Sequence, residues 1–378
     1  MCKGTPPARW RKGNGEDRRV QGETRRNPYH SDMESLVEVG ALTVQLATAA
    51  GWVKPVNEVS LRVARGEALG LVGESGSGKT MLSLALMGLL PPGARVSGEI
   101  RWRGGQQRTE RLAIEAHGTT RNGTTEGRNL VTLNDEEWRQ VRGREIAMIF
   151  QEPMTSLNPV MRIGAQHEEA ILAHEPKMNK DELHRRLMMA MEQAAIPEPE
   201  VRAQQYPHQL SGGLRQRAMI AMALAPRPKL LIADAPTTAL DVTVQKQILD
   251  LLDHLRRELE LGLLFITHDL GVVAKVADRV AVMYAGRIVE EGPTRNVLEL
   301  PQHPYTQGLL AASPTLERRE LTPIPGTVPQ LTELPLGCAF APRCGYRREE
   351  CERAMPELRK AEDEHEARCV LIHEREEG

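Results

Sequence analysis

The sequence predicts an α/β fold, in which short buried strands alternate with helices around one core. The apolar run at residues 68–72 leads directly into a glycine-rich loop and then into a helical pattern. Further short apolar runs follow at residues 229–233, 263–267 and 279–283. A chain of 378 residues with 40% hydrophobic content is long enough to bury a sizeable core.

The elements before this core include two strand-like runs, at residues 42–46 and 59–63. Residues 1–33 are rich in Arg, Gly and Asn and lack the apolar stretch of a secretory signal, so we expect a disordered N-terminal extension. Residues 104–129 have no apolar periodicity and predict a surface insertion.

The elements after the glycine-rich loop change character twice. Helical patterns such as residues 180–195 dominate the segment at about 153–228, which predicts a helical subdomain inserted between strands. Beyond residue 300, prolines recur and the periodicity weakens. We therefore expect one large domain over residues 34–300 and a separate, small, loop-rich C-terminal region over residues 301–378.

The overall charge does not indicate nucleic acid or anionic lipid as a partner. The chain has 49 Lys and Arg against 51 Asp and Glu, a formal net charge of -2. This balance predicts no general attraction to nucleic acid or to anionic lipid. Since no window approaches the roughly 18 apolar residues that span a bilayer, a link to a membrane would come through a partner.

The glycine-rich loop matches the phosphate-binding pattern G-x-x-x-x-G-K-[ST] in full. It consists of Gly73, Glu74, Ser75, Gly76, Ser77, Gly78, Lys79 and Thr80. The glycines allow backbone N–H groups to point at phosphate oxygens, and the following helix adds its positive end. Lys79 would reach the β and γ phosphates and Thr80 would bind Mg²⁺, so the sequence predicts a nucleoside triphosphate site.

Asp234 ends the predicted strand at residues 229–233. A carboxylate is costly to bury, and binding of Mg²⁺ beside Thr80 gives it a reason to lie there. The alternative is a solvent-exposed acid at a strand end. The next residue is Ala235, which can neither accept a proton nor orient a water molecule.

The segment Leu-Ser-Gly-Gly-Leu-Arg-Gln-Arg at residues 210–217 resembles the signature motif of ABC-type ATPases. Gln151, Asp241 and His268 stand in the same order as in that family. The resemblance covers residues 34–300. It implies an ABC-type nucleotide-binding domain, with a RecA-like core, an antiparallel β subdomain and an inserted helical subdomain.

Three segments are similar to the oligopeptide and dipeptide permease ATP-binding subunits: residues 151–159, 236–245 and 303–306. This resemblance implies an ATPase at the cytoplasmic face of the cell membrane that energises peptide import. It also implies a second, related ATP-binding subunit, two transmembrane permease subunits and, indirectly, an extracytoplasmic solute-binding protein. Relatives that move nickel or oligosaccharides are the alternative. The chain lacks the long coiled coil or basic arm expected of a soluble ABC ATPase of DNA repair or translation.

The resemblance also implies roles for single residues. Gln151 would bind Mg²⁺, sense the γ-phosphate and link to the permease, and His268 would contact the γ-phosphate. The signature residues are Ser211, Gly212 and Gly213. They would hold the ATP that is bound to the opposite subunit of a head-to-tail dimer. Asp241 would lie at the interface between the two subunits. Trp52 is the candidate to stack on adenine.

Position 235 departs from the family, because a Glu that polarises the attacking water is expected there. Ala235 therefore predicts strongly impaired hydrolysis with ATP binding retained. The departure is either an engineered substitution that traps the ATP-bound state or a degenerate site in a heterodimer. The retained Lys79, Thr80, Asp234 and His268 favour the first explanation. A subunit that binds ATP without ever hydrolysing it is the alternative function.

Four of the five cysteines lie close together in the C-terminal region: Cys338, Cys344, Cys351 and Cys369. Four thiolates can hold zinc or an iron–sulfur cluster, and the ligand type alone does not decide between them. The resemblance to the permease subunits implies a [4Fe–4S] cluster with a structural role, with zinc or unligated thiols as alternatives.

Overall fold

The computed structural model describes residues 34–104, 127–151, 156–238, 240–313, 321–362 and 364–375. The predicted N-terminal extension lies outside the described residues, as does most of the predicted insertion, residues 105–126. Residues 152–155, which follow Gln151 in the permease-like segment, also lie outside them.

Among the described residues, the main sheet has eight strands in the order β11-β12-β10-β9-β3-β8-β7-β6. Its five strands from β9 to β6 run parallel, and β10, β11 and β12 pair antiparallel at the other edge. Strands β3, β7, β8 and β9 are buried along their whole length, as expected for parallel strands covered on both faces. The eight strands are β3 (Ala68–Val72), β6 (Ile146–Ile149), β7 (Leu230–Asp234), β8 (Gly262–Thr267), β9 (Arg279–Tyr284), β10 (Arg287–Pro293), β11 (Arg359–Glu362) and β12 (His365–Ala367).

A second, antiparallel sheet has four strands within the described part of the chain, in the order β2-β1-β4-β5. Its strands are β1 (Ser35–Thr48), β2 (Gly51–Ala64), β4 (Arg95–Trp102) and β5 (Arg128–Asn129). The first two are longer than the runs the sequence predicts, because they pair as a hairpin up to Thr48 and Gly51 at the turn. This sheet packs against one face of the main sheet. The two share one hydrophobic core, which contains Leu42, Leu71 and Ile266.

Helices cover the main sheet and form the layer beside it. They are α1 (Lys79–Leu86), α2 (Asp135–Val141), α3 (Ile163–Leu172), α4 (Lys180–Gln193), α5 (Pro199–Ala203), α6 (Gly212–Leu224), α7 (Val242–Glu258), α8 (Leu270–Val276), α9 (Thr294–Glu299), α10 (Pro304–Ala312) and α11 (Glu350–Arg353). Helices α3 to α6 lie between β6 and β7 in the chain, where the sequence predicts a helical insertion. Helix α4 begins after Asn179, whose side chain accepts the Glu182 N–H at 2.9 Å.

The C-terminal region is joined to the main sheet, whereas the proline pattern predicts a separate region. Strand β12 pairs with β10 through Glu290 and Glu291, and the described residues from Glu34 onwards form one compact unit. Tyr305 and Phe340 belong to the same hydrophobic cluster as Phe265 of strand β8. The edge of β10 presents backbone N–H and C=O groups, and β12 forms hydrogen bonds with them. The apolar pattern of the sequence does not reveal this pairing. Within the described residues, no helix is both long and apolar enough to cross a membrane.

Candidate nucleotide-binding site

A cavity of about 700 Å³ opens at the carboxyl ends of β3, β7 and β8. This is the edge at which open parallel sheets bind their ligands. Its lining includes most of the residues predicted from the motifs: Glu74, Ser75, Gly76, Gly78, Lys79, Thr80, Gln151, Asp234, Ala235 and His268. Residues that are far apart in the chain are thus brought to one surface.

The phosphate loop needs glycine at position 78. Gly78 has φ +108°, and a Cβ atom there would lie 2.0 Å from the Pro55 carbonyl oxygen. The loop therefore passes close to strand β2, and α1 begins at the next residue. Gly73 is also confined, because a Cβ atom would lie 2.2 Å from the carbonyl oxygen of Met283. Both close approaches exclude any larger residue.

Lys79 is held inside the loop by three acceptors. Its Nζ donates to the carbonyl oxygens of Gly73 and Glu74, each at 2.8 Å, and to Ser77 Oγ at 3.1 Å. Burial lowers the pKa of Lys79 to about 8, against the opposing effect of the nearby Asp234 and Glu74 carboxylates. The ammonium is therefore poised to gain from a negatively charged ligand such as a phosphate.

Asp234 and Thr80 form a pair suited to a hard cation. Asp234 is only 4% exposed, and burial raises the pKa of its carboxyl group, while the Thr80 hydroxyl donates a hydrogen bond to it. The exposed Gln151 lines the same cavity. A buried carboxylate beside a hydroxyl and an amide oxygen is the ligand set that Mg²⁺ prefers, so these residues fit the metal.

Ala235 places a methyl group where the resemblance predicts a carboxylate. Its backbone is left-handed, with φ +46°, an unfavourable conformation for a residue with a Cβ atom. Two hydrogen bonds hold it there: its N–H donates to the Ile266 carbonyl at 2.8 Å, and its carbonyl accepts from Thr238 at 3.1 Å. The side chain at position 235 lines the cavity beside Asp234, so its chemistry bears directly on a bound ligand.

His268 follows β8 and lines the same cavity with an exposed side chain. The next residue, Asp269, caps α8 by accepting the N–H groups of Gly271 and Val272 at 2.8 and 3.3 Å. The Asp269 N–H in turn donates to Thr267 Oγ1 at 3.1 Å. This capped turn fixes the backbone on both sides of His268.

The signature residues and Asp241 lie outside this cavity, next to each other. Ser211 caps α6 by accepting the Leu214 N–H at 3.4 Å, and Asp241 caps α7 by accepting the Val244 N–H at 2.9 Å. A Cβ atom on Gly213 would lie 2.8 Å from Val244 Cγ1, so the two helix starts are in contact. Ser211, Gly212 and Asp241 are exposed and are therefore available to a second molecule.

Trp52 lies in the β1–β2 hairpin, outside the residues that line the cavity. The guanidinium carbon of Arg95 lies 4.0 Å from the centre of the Trp52 ring. Arg95 therefore covers one face of the indole. Stacking of Trp52 on adenine stays a prediction.

The four C-terminal cysteines line a second, much smaller cavity of about 10 Å³. Cys351 is buried and the others are half-buried, and all four are free thiols. Burial raises the pKa of Cys338 to about 11 and also raises the pKa values of Cys344 and Cys369. Among the described residues, no group of three or more His, Cys, Asp or Glu side chains is arranged to hold a metal ion. The donor chemistry fits a thiolate metal site, whereas the spacing of the thiols does not.

Several residues of the nucleotide cavity are missing from the sequence prediction. Leu309 and Leu331 of the C-terminal region form part of its wall. Tyr305 and Arg343 contact Glu74 of the phosphate loop from the same side. Tyr305 lies in the permease-like segment at residues 303–306, and this resemblance was the one sequence signal that could have drawn attention to it. No sequence pattern pairs Tyr305 with a loop about 230 residues earlier.

Comparison with known proteins gives two family matches along the chain. Residues 56–238 match the family described as ABC transporter, and residues 289–351 match the oligopeptide/dipeptide transporter C-terminal region. The oligopeptide transport ATP-binding protein OppD of Bacillus subtilis (strain 168) is 48% identical over 343 residues, which covers 89% of each chain. The dipeptide transport ATP-binding protein DppD of the same organism is 45% identical over 349 residues, 91% of this chain and 97% of that one.

A solved structure shares the fold of the cassette. A dimer of the ATP-binding cassette MJ0796, in a post-hydrolysis state bound to ADP and Pi, aligns with a TM-score of 0.56 at 25% identity. The alignment covers 68% of this chain and 99% of that one. The predicted ABC-type cassette fold is confirmed. The chain belongs to the ATP-binding subunits of the oligopeptide and dipeptide ABC transporter family.

Proposed function

We propose that this chain binds ATP with Mg²⁺ in the 700 Å³ cavity and couples closure of a head-to-tail dimer to peptide import. The observation that carries the proposal is the convergence of Lys79, Thr80, Asp234 and His268 on one cavity at the carboxyl edge of the main sheet. Relatives named for oligopeptide and dipeptide transport favour peptides over nickel or oligosaccharides as the substrate.

Each side chain of the cavity has a distinct task in this proposal. Lys79 and the loop N–H groups bind the β and γ phosphates, and His268 contacts the γ-phosphate from the end of β8. Thr80, Asp234 and Gln151 hold Mg²⁺, which when bound neutralises charge on the phosphates. Burial raises the pKa of Asp234 although the Thr80 hydroxyl and Lys79 oppose this effect, so a bound cation would stabilise the carboxylate further.

The dimer follows from the position of the signature. Ser211 caps α6 and Gly213 lies in its first turn, and these exposed and half-exposed residues lie outside the cavity of their own chain. A helix start of this kind binds phosphate well, so it serves the ATP of a second subunit. Val242, which is 82% exposed beside Asp241, would be covered at the interface between the two subunits. The second subunit is a related ATP-binding chain, which makes the pair a heterodimer.

The permease subunits dock next to Gln151 in this proposal. A groove of about 420 Å³ is lined by Met148, Phe150, Ser156, Met219, Met222 and Ala223. Phe150 is 41% exposed and directly precedes Gln151, so the apolar groove and the nucleotide cavity share one short segment. Flexible methionine side chains suit an apolar helix of a membrane partner. The chain then lies peripherally at the cytoplasmic face of the membrane.

Hydrolysis is slow at this site because Ala235 offers no base. General-base assistance contributes about 10²–10⁴-fold, or roughly 3–5 kcal/mol of the barrier. The proposed cycle of this chain therefore favours the ATP-bound, closed state.

The experiment is to replace Ala235→Glu and measure steady-state ATP turnover in the assembled transporter. We expect an increase of about 10²-fold or more, because a carboxylate would stand beside the bound phosphate. Ala235→Gln is the matched control, since it has similar size without basicity. Equal turnover in wild type and Ala235→Glu would show that position 235 does not limit the reaction, and would favour a subunit that only binds ATP.

The four cysteines hold a structural [4Fe–4S] cluster in this proposal. The support is that Cys338, Cys344, Cys351 and Cys369 surround one cavity. Their thiols must lose protons and draw together to bind metal, because the present spacing is not that of a metal site.

A further inference from the structure

The phosphate loop is held by two residues of the C-terminal region. The Arg343 guanidinium donates to both carboxylate oxygens of Glu74, through Nη1 at 2.8 Å and Nη2 at 3.1 Å. This two-point geometry is the strongest arrangement of an ion pair in proteins. The Arg343 side chain is 4% exposed and that of Glu74 is 28% exposed, so solvent screens the pair only partly.

Arg343 is itself fixed by its surroundings. Its Nε donates to the Pro325 carbonyl at 2.8 Å, and Nη1 lies 3.4 Å from the Tyr284 hydroxyl oxygen. The rings of Tyr284 and Phe340 each lie 5.9 Å from its guanidinium carbon. The guanidinium therefore has one orientation, which is directed at Glu74.

Tyr305 holds the backbone of the same residue. The Glu74 N–H donates to the Tyr305 hydroxyl oxygen at 2.8 Å. Tyr305 is fully buried, and its ring packs against Tyr284 at 4.5 Å and Phe340 at 5.4 Å between ring centres. Both the main chain and the side chain of Glu74 are thus attached to one aromatic cluster of the C-terminal region.

The contact has an electrostatic consequence, because Glu74 lines the nucleotide cavity. A free carboxylate at this place would repel the phosphates of a nucleotide and compete for Lys79, to which it is electrostatically coupled. Arg343 neutralises this charge and turns the carboxylate towards the C-terminal region.

We propose that Arg343 and Tyr305 are positioning residues of the nucleotide site, which hold Glu74 so that the loop accepts a triphosphate. The C-terminal region thereby contributes to ATP affinity as well as to the main sheet. This inference rests on the proposed binding of ATP in the same cavity.

The test is the dissociation constant of Mg²⁺-ATP and Mg²⁺-ADP for the full chain and for Arg343→Gln, Glu74→Gln and the double variant. We expect Arg343→Gln to weaken ATP binding by about tenfold or more, and ADP binding by less, because repulsion grows with phosphate charge. Glu74→Gln should bind ATP at least as tightly as wild type. The double variant should resemble Glu74→Gln, since the repelling charge is gone.

Arg347→Gln is the matched control. Arg347 lies in the same region and pairs with Glu352 at 2.7 Å, but both side chains are about half exposed, at 51% and 52%. We expect wild-type ATP affinity in this variant. If Arg343→Gln equals Arg347→Gln, or if the double variant is as weak as Arg343→Gln, the proposal is overturned. Failure of wild type to bind ATP would instead overturn the proposed function.

Tyr305→Phe keeps the test decisive if Arg343→Gln does not fold. It removes only the hydroxyl that accepts the Glu74 N–H and leaves the ring packing in place. Loss of one such hydrogen bond corresponds to a decrease in ATP affinity of about fivefold. Unchanged ATP affinity in Tyr305→Phe, with unaltered thermal unfolding, would contradict the proposal.

Discussion

The nucleotide cavity and the four-cysteine cavity differ in the charges that surround them. In the first, the ammonium of Lys79 stands near the carboxylates of Asp234 and Glu74. In the second, the wall carries four thiols, and burial raises the pKa of Cys338 to about 11. The first cavity therefore brings together groups of opposite charge, whereas in the second burial disfavours the thiolate form of Cys338, Cys344 and Cys369.

This difference explains why one site is well formed and the other is not. Hydrogen bonds and opposite charges within the protein hold Lys79, Thr80 and Asp234 in place. The lining of the cysteine cavity is mostly apolar, and burial disfavours the thiolate form of Cys338, so the proposed metal would have to stabilise the thiolates. A site whose charges are balanced within the protein can be preorganised by the fold, whereas the proposed thiolate site would depend on its metal.

The largest expected effect concerns the cysteine cavity. Cys351→Ser should abolish stoichiometric iron and visible absorbance in anaerobic preparations and should lower the free energy of unfolding by several kcal/mol, because metal binding contributes to folding. Cys351 is the buried member of the set, so a substitute ligand from solvent is unavailable. Iron content, absorbance and urea unfolding are the measurements.

Cys2→Ser is the control, because Cys2 lies outside the described residues and is the one cysteine not assigned to the cavity. Wild-type protein without iron, or with zinc in its place, would contradict the cluster. Iron retained in Cys351→Ser would contradict this ligand set.

The next effect concerns the stability of the same region in acid. Burial lowers the pKa of His303 to about 4, and its Nδ1 accepts the Tyr305 N–H at 3.0 Å at the start of α10. The unfolded state binds the proton more tightly, so the stabilisation is complete above about pH 6.5 and is lost as pH falls from 6.5 to 4. The full loss corresponds to roughly 3 kcal/mol.

His303→Asn retains an acceptor for the cap and should reduce the loss of unfolding free energy between pH 7 and pH 4.5. Part of the loss will remain, because burial also lowers the pKa of His167 to about 4. His254→Asn is the control, since that side chain is 70% exposed. An acid dependence identical in wild type and His303→Asn would argue against a neutral, buried His303.

The smallest effect concerns the balance of charge in the nucleotide cavity. With the pKa of Lys79 lowered to about 8 by burial, ATP must bind together with a proton above that pH. The affinity for Mg²⁺-ATP should fall by about fivefold between pH 8 and pH 9 and should be level below pH 7. Lys79→Arg stays charged throughout and should show a flat profile in the same titration. A flat profile in wild type would mean that Asp234 and Glu74 outweigh burial.

Much of the nucleotide cavity could be predicted from the sequence. The residues from Gly73 to Thr80 form a contiguous loop whose geometry is dictated by glycines, so its local structure follows from its composition. Asp234 was predictable because a carboxylate at the end of an apolar strand needs a partner. The position of Trp52 was less predictable, because no local pattern shows which ring reaches the cavity.

The C-terminal region shows what the sequence could not supply. Its prolines and loops predict a separate region, yet β12 extends the main sheet through Glu290 and Glu291. Sheet pairing joins strands about 75 residues apart, and nothing local in either strand specifies its partner. The ion pair of Arg343 with Glu74 likewise joins two segments that are far apart in the chain, and nothing local in either segment specifies its partner.

The sequence by itself determined the phosphate loop, the order of its partner motifs, the alanine at position 235 and the four clustered cysteines. These features depend on residue type and short spacing. Only the tertiary structure decided that β12 joins the main sheet, and that Arg343 and Tyr305 hold Glu74. The physical reason is that contacts between distant segments depend on how the sheet and its covering elements pack, and no short pattern encodes that arrangement.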